Sequence, residues 1–260
     1  PEPTHGDPAS IQVKTGLLKP WRTAAECIDW TLPCPSIFER KKPLAENTMR
    51  RIAKGLQKFV IDNPNPFIVQ VNHHYLIAPN LIQYHGEQSG KEVRGQDLQR
   101  PLLAVDASNR YGLVTTHLVQ MNKNSEQDLA KPFNTVTAGG GHFAEVRTFL
   151  VKYYGQGEGQ RIDTPLHTIT TKDRFGLITV TGIEYQIVDI GMRMLTPREL
   201  FRAQGFSDDY IIEHDDKGKP YPKSAQVARC GNAVPPQLPA ALVKANLPEL
   251  CGMLAERKVI

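Results

Sequence analysis

Apolar and basic residues recur at helical spacing in the stretch PLAENTMRRIAKGLQKFV, residues 43–60. The apolar positions with this spacing are Leu44, Ile52, Leu56, Phe59 and Val60. The basic residues on the other side are Arg50, Arg51, Lys54 and Lys58. This pattern predicts an amphipathic helix that ends near Asp62, where the sequence DNPNP begins.

The chain before this helix shows weaker signals. Residues 1–20 contain Pro, Gly and Asp without periodicity, which predicts an arm or a linker. The sequence WRTAAECIDW, residues 21–30, predicts a short helix that the break at Pro33 and Pro35 ends. Residues 21–62 are therefore expected to form a helical, basic segment.

Short runs of Val, Ile, Thr, Tyr and Phe, separated by Gly, Asn and Asp, fill most of residues 63–190 and predict strands. Three similar stretches start at Pro101, Pro132 and Pro165: PLLAVDASNRYGLV, PFNTVTAGGGHFAEV and PLHTITTKDRFGLI. Each is interpreted as a strand, a polar turn and a second strand, so that hairpins stack and their turns project side by side. Such turns suit a nucleic-acid groove, and repeats that exist only because they stack are the alternative.

Composition excludes several classes of protein. The chain has 260 residues and 40% hydrophobic content, which is enough for a core. Its four cysteines form no CxxC pair, so neither a disulfide framework nor structural zinc is expected. No apolar run approaches the roughly 18 residues of a membrane span, and the start lacks the layout of a secretory signal. We expect a cytoplasmic protein with no membrane partner.

The net charge of +4 is concentrated in one place. Residues 40–58 contain seven basic side chains and one acidic side chain, Glu46. A face of this kind can neutralise phosphates, and a solvated helix face is the equally open alternative.

Two other patterns are rejected as sites. Gly155, Gly157 and Gly159 follow a predicted strand, but the phosphate-binding fingerprint requires a helix directly after the glycines, and Pro165 with its β-branched neighbours predicts another strand. Three histidines (His73, His74 and His85) lack Cys or Glu partners at ligand spacing. No metal site is expected.

The C-terminal part has sharper local signals. Thr196 and Glu199 form a capping box with Pro197 at the first helical position, and Gly205 stands where this helix ends. Further on, Gly231 and Asn232 are interpreted as a tight turn, after which a Pro-Pro pair leads into an apolar helix. The apolar stripe of that helix comprises Leu238, Ala241, Leu242 and Ala245.

These two stretches resemble the ninth and tenth of the ten sequence motifs of the DNA (cytosine-5) methyltransferases. The residues that carry the resemblance to the ninth motif are Arg193, Leu195, Thr196, Pro197, Arg198, Glu199, Gln204, Gly205 and Phe206. Those for the tenth motif are Gly231, Asn232, Ala233, Val234, Pro235 and Pro236. Ser207 departs from the family's usual proline. The repeats and the chain start are similar to the target-recognition segment of phage and prophage members.

The resemblance implies an α+β fold: a β-hairpin-rich target-recognition domain, an N-terminal helical segment, and C-terminal helices that complete a Rossmann-like, AdoMet-dependent methyltransferase domain. It implies that Asn232, Ala233 and Val234 touch the site of S-adenosyl-L-methionine (AdoMet). It also implies double-stranded DNA as substrate and a role in DNA methylation and restriction–modification. The expected segments are a linker (1–20), the basic helical segment (21–62), the target-recognition domain (63–190) and the region of the ninth and tenth motifs (191–260).

Cys34 follows a proline, as the family's nucleophile does, but it is not expected to be catalytic. It lies between Pro33 and Pro35 after a helix rather than a strand, and Glu26 and Asp29 disfavour a thiolate. No Phe-x-Gly-x-Gly loop, Pro-Cys-Gln, Glu-Asn-Val or Gln-x-Arg-x-Arg block is present. The chain is therefore interpreted as the C-terminal half of such an enzyme, inactive alone, with the N-terminal catalytic half of the same protein as its partner.

Candidate contacts follow from this interpretation. Arg110, Lys172 and Arg174 are expected in the DNA groove, and Arg50, Arg51, Lys54 and Lys58 on phosphates. The stripe from Leu238 to Ala245 would lie on the AdoMet domain, and a homodimer of the isolated chain through this stripe is a further expectation. Two alternatives stay open: a stand-alone DNA-binding module or regulator without methyl transfer, and a structural β-repeat protein.

Overall fold

The computed structural model describes residues 3–72, 75–84, 95–120, 145–146, 148–150, 177–180 and 182–247. It contains both helices and strands, in agreement with the α+β prediction. The chain divides into two compact units made of non-contiguous stretches. Unit 1 comprises Pro1–Thr31, Leu98–Arg110 and Met194–Ile260, and unit 2 comprises Leu32–Asp97 and Tyr111–Arg193. These units cut across the four predicted segments.

The described elements are numbered along the chain. The helices are α1 (Ile11–Lys14), α2 (Ala24–Cys27), α3 (Glu46–Leu56), α4 (Pro197–Ala203), α5 (Lys223–Asn232) and α6 (Gln237–Asn246). The strands are β1 (His5–Gly6), β2 (Lys19–Pro20), β3 (Val69–Asn72), β4 (Tyr75–Gln83), β5 (Gly95–Gln96), β6 (Tyr111–Gln120), β7 (Leu177–Val180) and β8 (Ile183–Met194).

The N-terminal part of unit 1 has more structure than its sequence predicts. No element is expected before Trp21, but β1 pairs with β2 in parallel and Ser10 caps α1 between them. The helix predicted over residues 21–30 extends only over α2, because Ile28 leaves the helical conformation at φ −81°, ψ 134°. After this point the backbone makes a tertiary hydrogen bond in place of a helical one, since Asp29 N donates to a carboxylate of α4.

That carboxylate belongs to Glu199, which is 1% exposed. Its Oε2 accepts hydrogen bonds from Thr196 N at 2.7 Å and Thr196 Oγ1 at 3.0 Å. Its Oε1 accepts from Asp29 N at 2.8 Å. The predicted capping box is confirmed, with Pro197 in the first turn and Gly205 in the left-handed region at φ 86° after the helix. One buried carboxylate thus satisfies donors from two distant stretches of the chain.

Unit 2 contains the predicted basic helix. Helix α3 continues as a π-helical turn (Gln57–Ile61), so the predicted end near Asp62 is confirmed. The buried residues of α3 are Thr48, Ile52, Ala53, Gly55 and Leu56. This apolar side packs on β4, which lies in a sheet whose described strands have the order β3-β4-β6-β8-β7, with β5 also on β4. The β4–β6 pair is antiparallel, with Ala78 opposite Thr116.

Close packing of α3 on β4 depends on Gly55. A Cβ atom at this position would lie 2.5 Å from Asn80 Nδ2, and Asn80 is completely buried. The absence of a side chain lets the helix backbone approach the sheet. Gly55 thereby sets the position of the helix whose other side carries the basic residues.

The described residues confirm part of the prediction of three hairpin repeats and correct another part. In the first repeat, residues 101–110 contain no strand, but Tyr111 to Val114 belong to β6, as predicted for its second strand. In the second, Glu145 and Val146 are helical where a strand is predicted. In the third, Leu177 and Ile178 belong to β7, as predicted for its second strand. The turns of the second and third repeats lie outside the described residues. Among the described residues, the second strand forms in the first and third repeats but not in the second, because tertiary context can override β-propensity.

We expect Glu199→Ala to lower the free energy of unfolding by about 3 kcal/mol, because it leaves the part-buried amides of Asp29 and Thr196 without this acceptor. The matched control is Glu26→Ala, which removes the same residue from an exposed capping box on α2. That control is expected to cost about 1 kcal/mol or less. Urea unfolding measures both, and equal losses would contradict the role of Glu199 as a shared acceptor.

A second prediction concerns Gly55→Ala. We expect a loss of about 1–2 kcal/mol, since overpacking against Asn80 outweighs the gain in helix propensity. Asn47→Ala, on an exposed position of the same helix, serves as the control and is expected to be near neutral. Thermal unfolding measures the difference. A stabilised Gly55→Ala variant would show that the helix does not need this close approach.

Candidate functional site

Four predicted phosphate contacts lie on α3 and the turn that continues it, and they differ in accessibility. Arg50 is 63% exposed, with its Nε 3.8 Å from Glu46 Oε1, and Lys58 is exposed, with its Nζ 5.2 Å from the centre of the Phe59 ring. Lys54 and Arg51 are half-buried. The structure therefore brings the four cations together on one element, with Arg50 and Lys58 as the most accessible of the four.

Arg51 has a partner within the protein. Its guanidinium carbon lies 5.3 Å from the centre of the Tyr84 ring, a cation–π distance. Burial raises the pKa of Tyr84, and the Thr48 side chain and Arg51 partly oppose this effect. The phenol therefore stays protonated and neutral at physiological pH, and the positive charge of the helix is not cancelled there.

Arg110 lies in unit 1 rather than on a hairpin turn. Its Nε donates to Asp106 Oδ2 at 2.8 Å, and its side chain is 38% exposed. Asp106 Oδ1 also accepts from Ser108 N at 2.9 Å, so this acid organises the bend. The other two predicted groove contacts, Lys172 and Arg174, lie outside the described residues.

The predicted cofactor residues lie at the end of α5. Gly231 and Asn232 are its last two residues, so the predicted tight turn is wrong at these positions and the chain leaves the helix at Ala233. Ala233 N donates to Cys230 O at 3.1 Å. Asn232 and Val234 are exposed, Val234 to 63%. An accessible amide beside an accessible apolar side chain fits one wall of a site for a ligand with polar and apolar parts.

Two glutamines hold the ninth and tenth motifs together. Gln204 Nε2 donates to Cys230 O at 2.8 Å, directly before the tenth motif. In return, Gln237 Nε2, directly after the tenth motif, donates to Gly205 O of the ninth motif at 3.0 Å. Residue spacing did not identify Gln237, whose only signal is its place directly after the Pro-Pro pair. The structure thus brings the two motifs into direct contact within unit 1.

Arginines of the ninth motif and α4 make internal contacts. Arg198 Nη1 donates to Tyr210 O at 2.8 Å, and Arg198 Nη2 pairs with Glu213 at 2.5 Å. That hydrogen bond holds the pKa of Glu213 below its usual value. Arg202 Nε donates to Asp208 Oδ1 at 2.6 Å. These contacts order the loop that follows α4.

Cys34 is a half-buried thiol that donates to Leu113 O at a sulfur distance of 3.7 Å. Burial raises its pKa, and Thr115 and Arg193 only partly oppose this effect. The physical cause is therefore desolvation rather than the carboxylates named from the sequence. Burial also raises the pKa of Cys27 to about 11 and that of Cys230 to about 12. None of these three thiols is activated as a nucleophile.

Other candidate sites are sparse in the described part of the chain. There, no group of three or more His, Cys, Asp or Glu residues could hold a metal ion. His73, His74, His85 and the glycines at 155, 157 and 159 lie outside it. No described helix has the length and apolar character needed to cross a bilayer. The apolar stripe of α6 is exposed, with Leu238 at 57% and Leu242 at 64%.

Comparison with known proteins gives one match. The profile of the C-5 cytosine-specific DNA methylases matches residues 76–247, roughly two thirds of the chain. Searches among curated proteins and among solved structures gave no match. The matched range includes the sheet strands from β4 onward and both C-terminal motifs. The chain therefore belongs to the C-5 cytosine-specific DNA methylase family.

Proposed function

We propose that this chain is the DNA-recognising part of a DNA (cytosine-5) methyltransferase that methylates C5 of cytosine at a specific duplex site. The observation that carries this proposal is the pairing of the ninth and tenth motifs through Gln204 and Cys230. Asn232 and Val234, which directly follow this pairing, are exposed. In the proposed enzyme these residues and Ala233 form one wall of the AdoMet site.

The catalytic nucleophile lies in another segment of the enzyme. The mechanism requires a thiolate that attacks C6 of a flipped cytosine, and this chain contains no Pro-Cys-Gln block. Cys34 has a raised pKa and donates to a backbone carbonyl, which stabilises the thiol rather than the thiolate. When bound, AdoMet supplies the methyl group. Residues of this chain hold the duplex and contact the cofactor from one side.

DNA binding has two parts in this proposal. Arg50 and Lys58 contact phosphates from the exposed side of α3, with Lys54 and Arg51 adding positive charge beside them. Arg110, Lys172 and Arg174 remain the candidates for groove contacts. Phosphate contacts fix the orientation of the protein on the duplex, and base contacts determine which sequence it recognises. In this proposal α3 clamps the duplex through its phosphates and the turns contact the bases.

The second candidate is a DNA-binding regulator without methyl transfer. It is favoured by the same basic helix, because phosphate binding needs no cofactor wall. The two candidates differ in the role of Asn232, Ala233 and Val234. These residues contact AdoMet in the enzyme, whereas a regulator without methyl transfer needs no AdoMet site. The exposed apolar stripe of α6 favours the enzyme, since such a stripe needs a covering partner.

The decisive experiment measures transfer of labelled methyl groups from AdoMet to duplex DNA. We expect none from this chain alone and transfer once the segment carrying the Pro-Cys-Gln and AdoMet-loop blocks is added. Cys34→Ser is expected to leave the rate of the reassembled enzyme unchanged. Methylation by this chain alone, abolished by Cys34→Ser, would overturn the proposal. DNA binding without transfer in any combination would favour the regulator.

Salt dependence tests the phosphate clamp. Replacing Arg50 and Lys58 together by Gln should lower the slope of log K against log salt concentration by roughly 0.9 for each phosphate that the variant no longer neutralises. Lys244→Gln on α6 is the matched control, because it removes a lysine that the proposal places away from phosphates. Fluorescence anisotropy with a labelled duplex at several salt concentrations measures each slope. An unchanged slope in the double variant, or an equal change in the control, would contradict the clamp.

A further inference from the structure

We propose that the turn Asp106–Arg110 is a positioning element that sets where the tenth motif, and with it the cofactor wall Asn232–Val234, lies. This inference rests on the proposed function for the identity of the wall. The turn belongs to the first sequence repeat, whose predicted use is DNA reading. Its contacts within unit 1 indicate an additional task.

The first contact is with Gly231. A Cβ atom on this residue would lie 2.1 Å from Asp106 C, 2.2 Å from Asp106 O and 2.3 Å from Ala107 N. The backbone of Gly231 is not in the left-handed region, unlike Gly205 at φ 86°. Glycine is therefore needed at this position for close approach and not for its conformational freedom. The Asp106–Ala107 peptide lies directly against the end of α5.

The second feature is the internal rigidity of the turn. Asp106 accepts hydrogen bonds from Ser108 N through Oδ1 and from Arg110 Nε through Oδ2. One carboxylate thus holds both the middle and the end of the turn. The charge-assisted bond from Arg110 is the stronger kind, and it is part-buried. The surface that meets Gly231 is consequently fixed in shape.

A third feature is the hydrogen bond that anchors the turn to the ninth motif. Asn109 Nδ2 donates to Leu195 O at 2.6 Å, one residue before the N-cap of α4. The stretch that leads into the turn is also anchored, because Ala24 N donates to Arg100 O at 2.7 Å and Ala25 N to Leu98 O at 3.0 Å. The turn that supports Gly231 is therefore itself fixed to α2 and to the ninth motif.

The end of α5 consequently has two supports. Gln204 holds Cys230 O from the ninth motif, and the turn holds Gly231 one residue later. Asn232 to Val234 follow immediately, so a shift of either support moves the wall. Asn109 and Asp106 affect AdoMet binding only by holding Gly231 in place, so they are positioning residues.

The test uses Asn109→Ala and Gly231→Ala, with Asn246→Ala as the matched control. Asn246 Nδ2 also donates to a backbone carbonyl, Leu242 O at 2.8 Å, but inside α6. In this chain alone, amide hydrogen exchange is measured at Ala233, whose N–H bonds Cys230 O. We expect exchange about tenfold faster in Asn109→Ala, the scale of one missing hydrogen bond, and faster still in Gly231→Ala. The control should match the unchanged chain.

The same variants are then measured in the enzyme reassembled with its catalytic segment. We expect the Kd and KM for AdoMet to rise about tenfold, while the KM for DNA stays unchanged. A purely structural defect would move both substrates together. If Gly231→Ala does not fold, as judged by circular dichroism, Asn109→Ala decides alone. Unchanged exchange at Ala233 in Asn109→Ala would overturn the inference, as would weaker DNA binding at unchanged AdoMet affinity.

Failure of the proposed function has a different signature. The unaltered enzyme would then bind no AdoMet with any partner segment, whereas exchange at Ala233 would still respond to Asn109→Ala.

Discussion

Unit 1 depends on the requirement that a buried carboxylate be fully hydrogen-bonded. Glu199 is almost completely buried, and its two oxygens accept from Thr196 and from Asp29. An unsatisfied charge in this place would be costly, so hydrogen bonds from both donors stabilise the fold. The end of α2 and the start of α4, which are 170 positions apart, are thereby held in one arrangement.

The second recurring constraint is close approach of backbone at glycine. Gly55 lets α3 reach Asn80, and Gly231 lets the end of α5 reach the peptide of Asp106. Gly191 follows the same rule in unit 2, because a Cβ there would lie 2.5 Å from both Cys34 O and Thr115 Oγ1. In each case the missing side chain sets a distance between two elements. The proposed phosphate contacts lie on α3 and the turn that continues it, and the proposed cofactor wall lies at the end of α5.

The division of labour within the proposed enzyme follows from these constraints. Desolvation keeps the described thiols protonated, so they contribute packing instead of nucleophilic chemistry. Positive charge is accessible on α3, where burial of the apolar side orients the basic residues outward. The exposed surface after α5 carries an uncharged amide and an apolar side chain, which suits a small ligand better than a phosphate backbone.

Sequence alone determined the features that arise within one turn of helix or one helical face. The capping box of Thr196 and Glu199, the stop at Gly205 and the amphipathic α3 are such features, because their causes lie three to four residues apart. Recognition of the ninth and tenth motifs, and with them the family, also came from short contiguous stretches. Tertiary structure alone decided that Asn109 bonds Leu195, 86 positions away, and that Gly231 is helical and contacts Asp106. It also decided that residues 101–110 of the first repeat form a supported turn without the predicted first strand. Such contacts depend on which distant backbones meet, and neither periodicity nor local propensity carries that information.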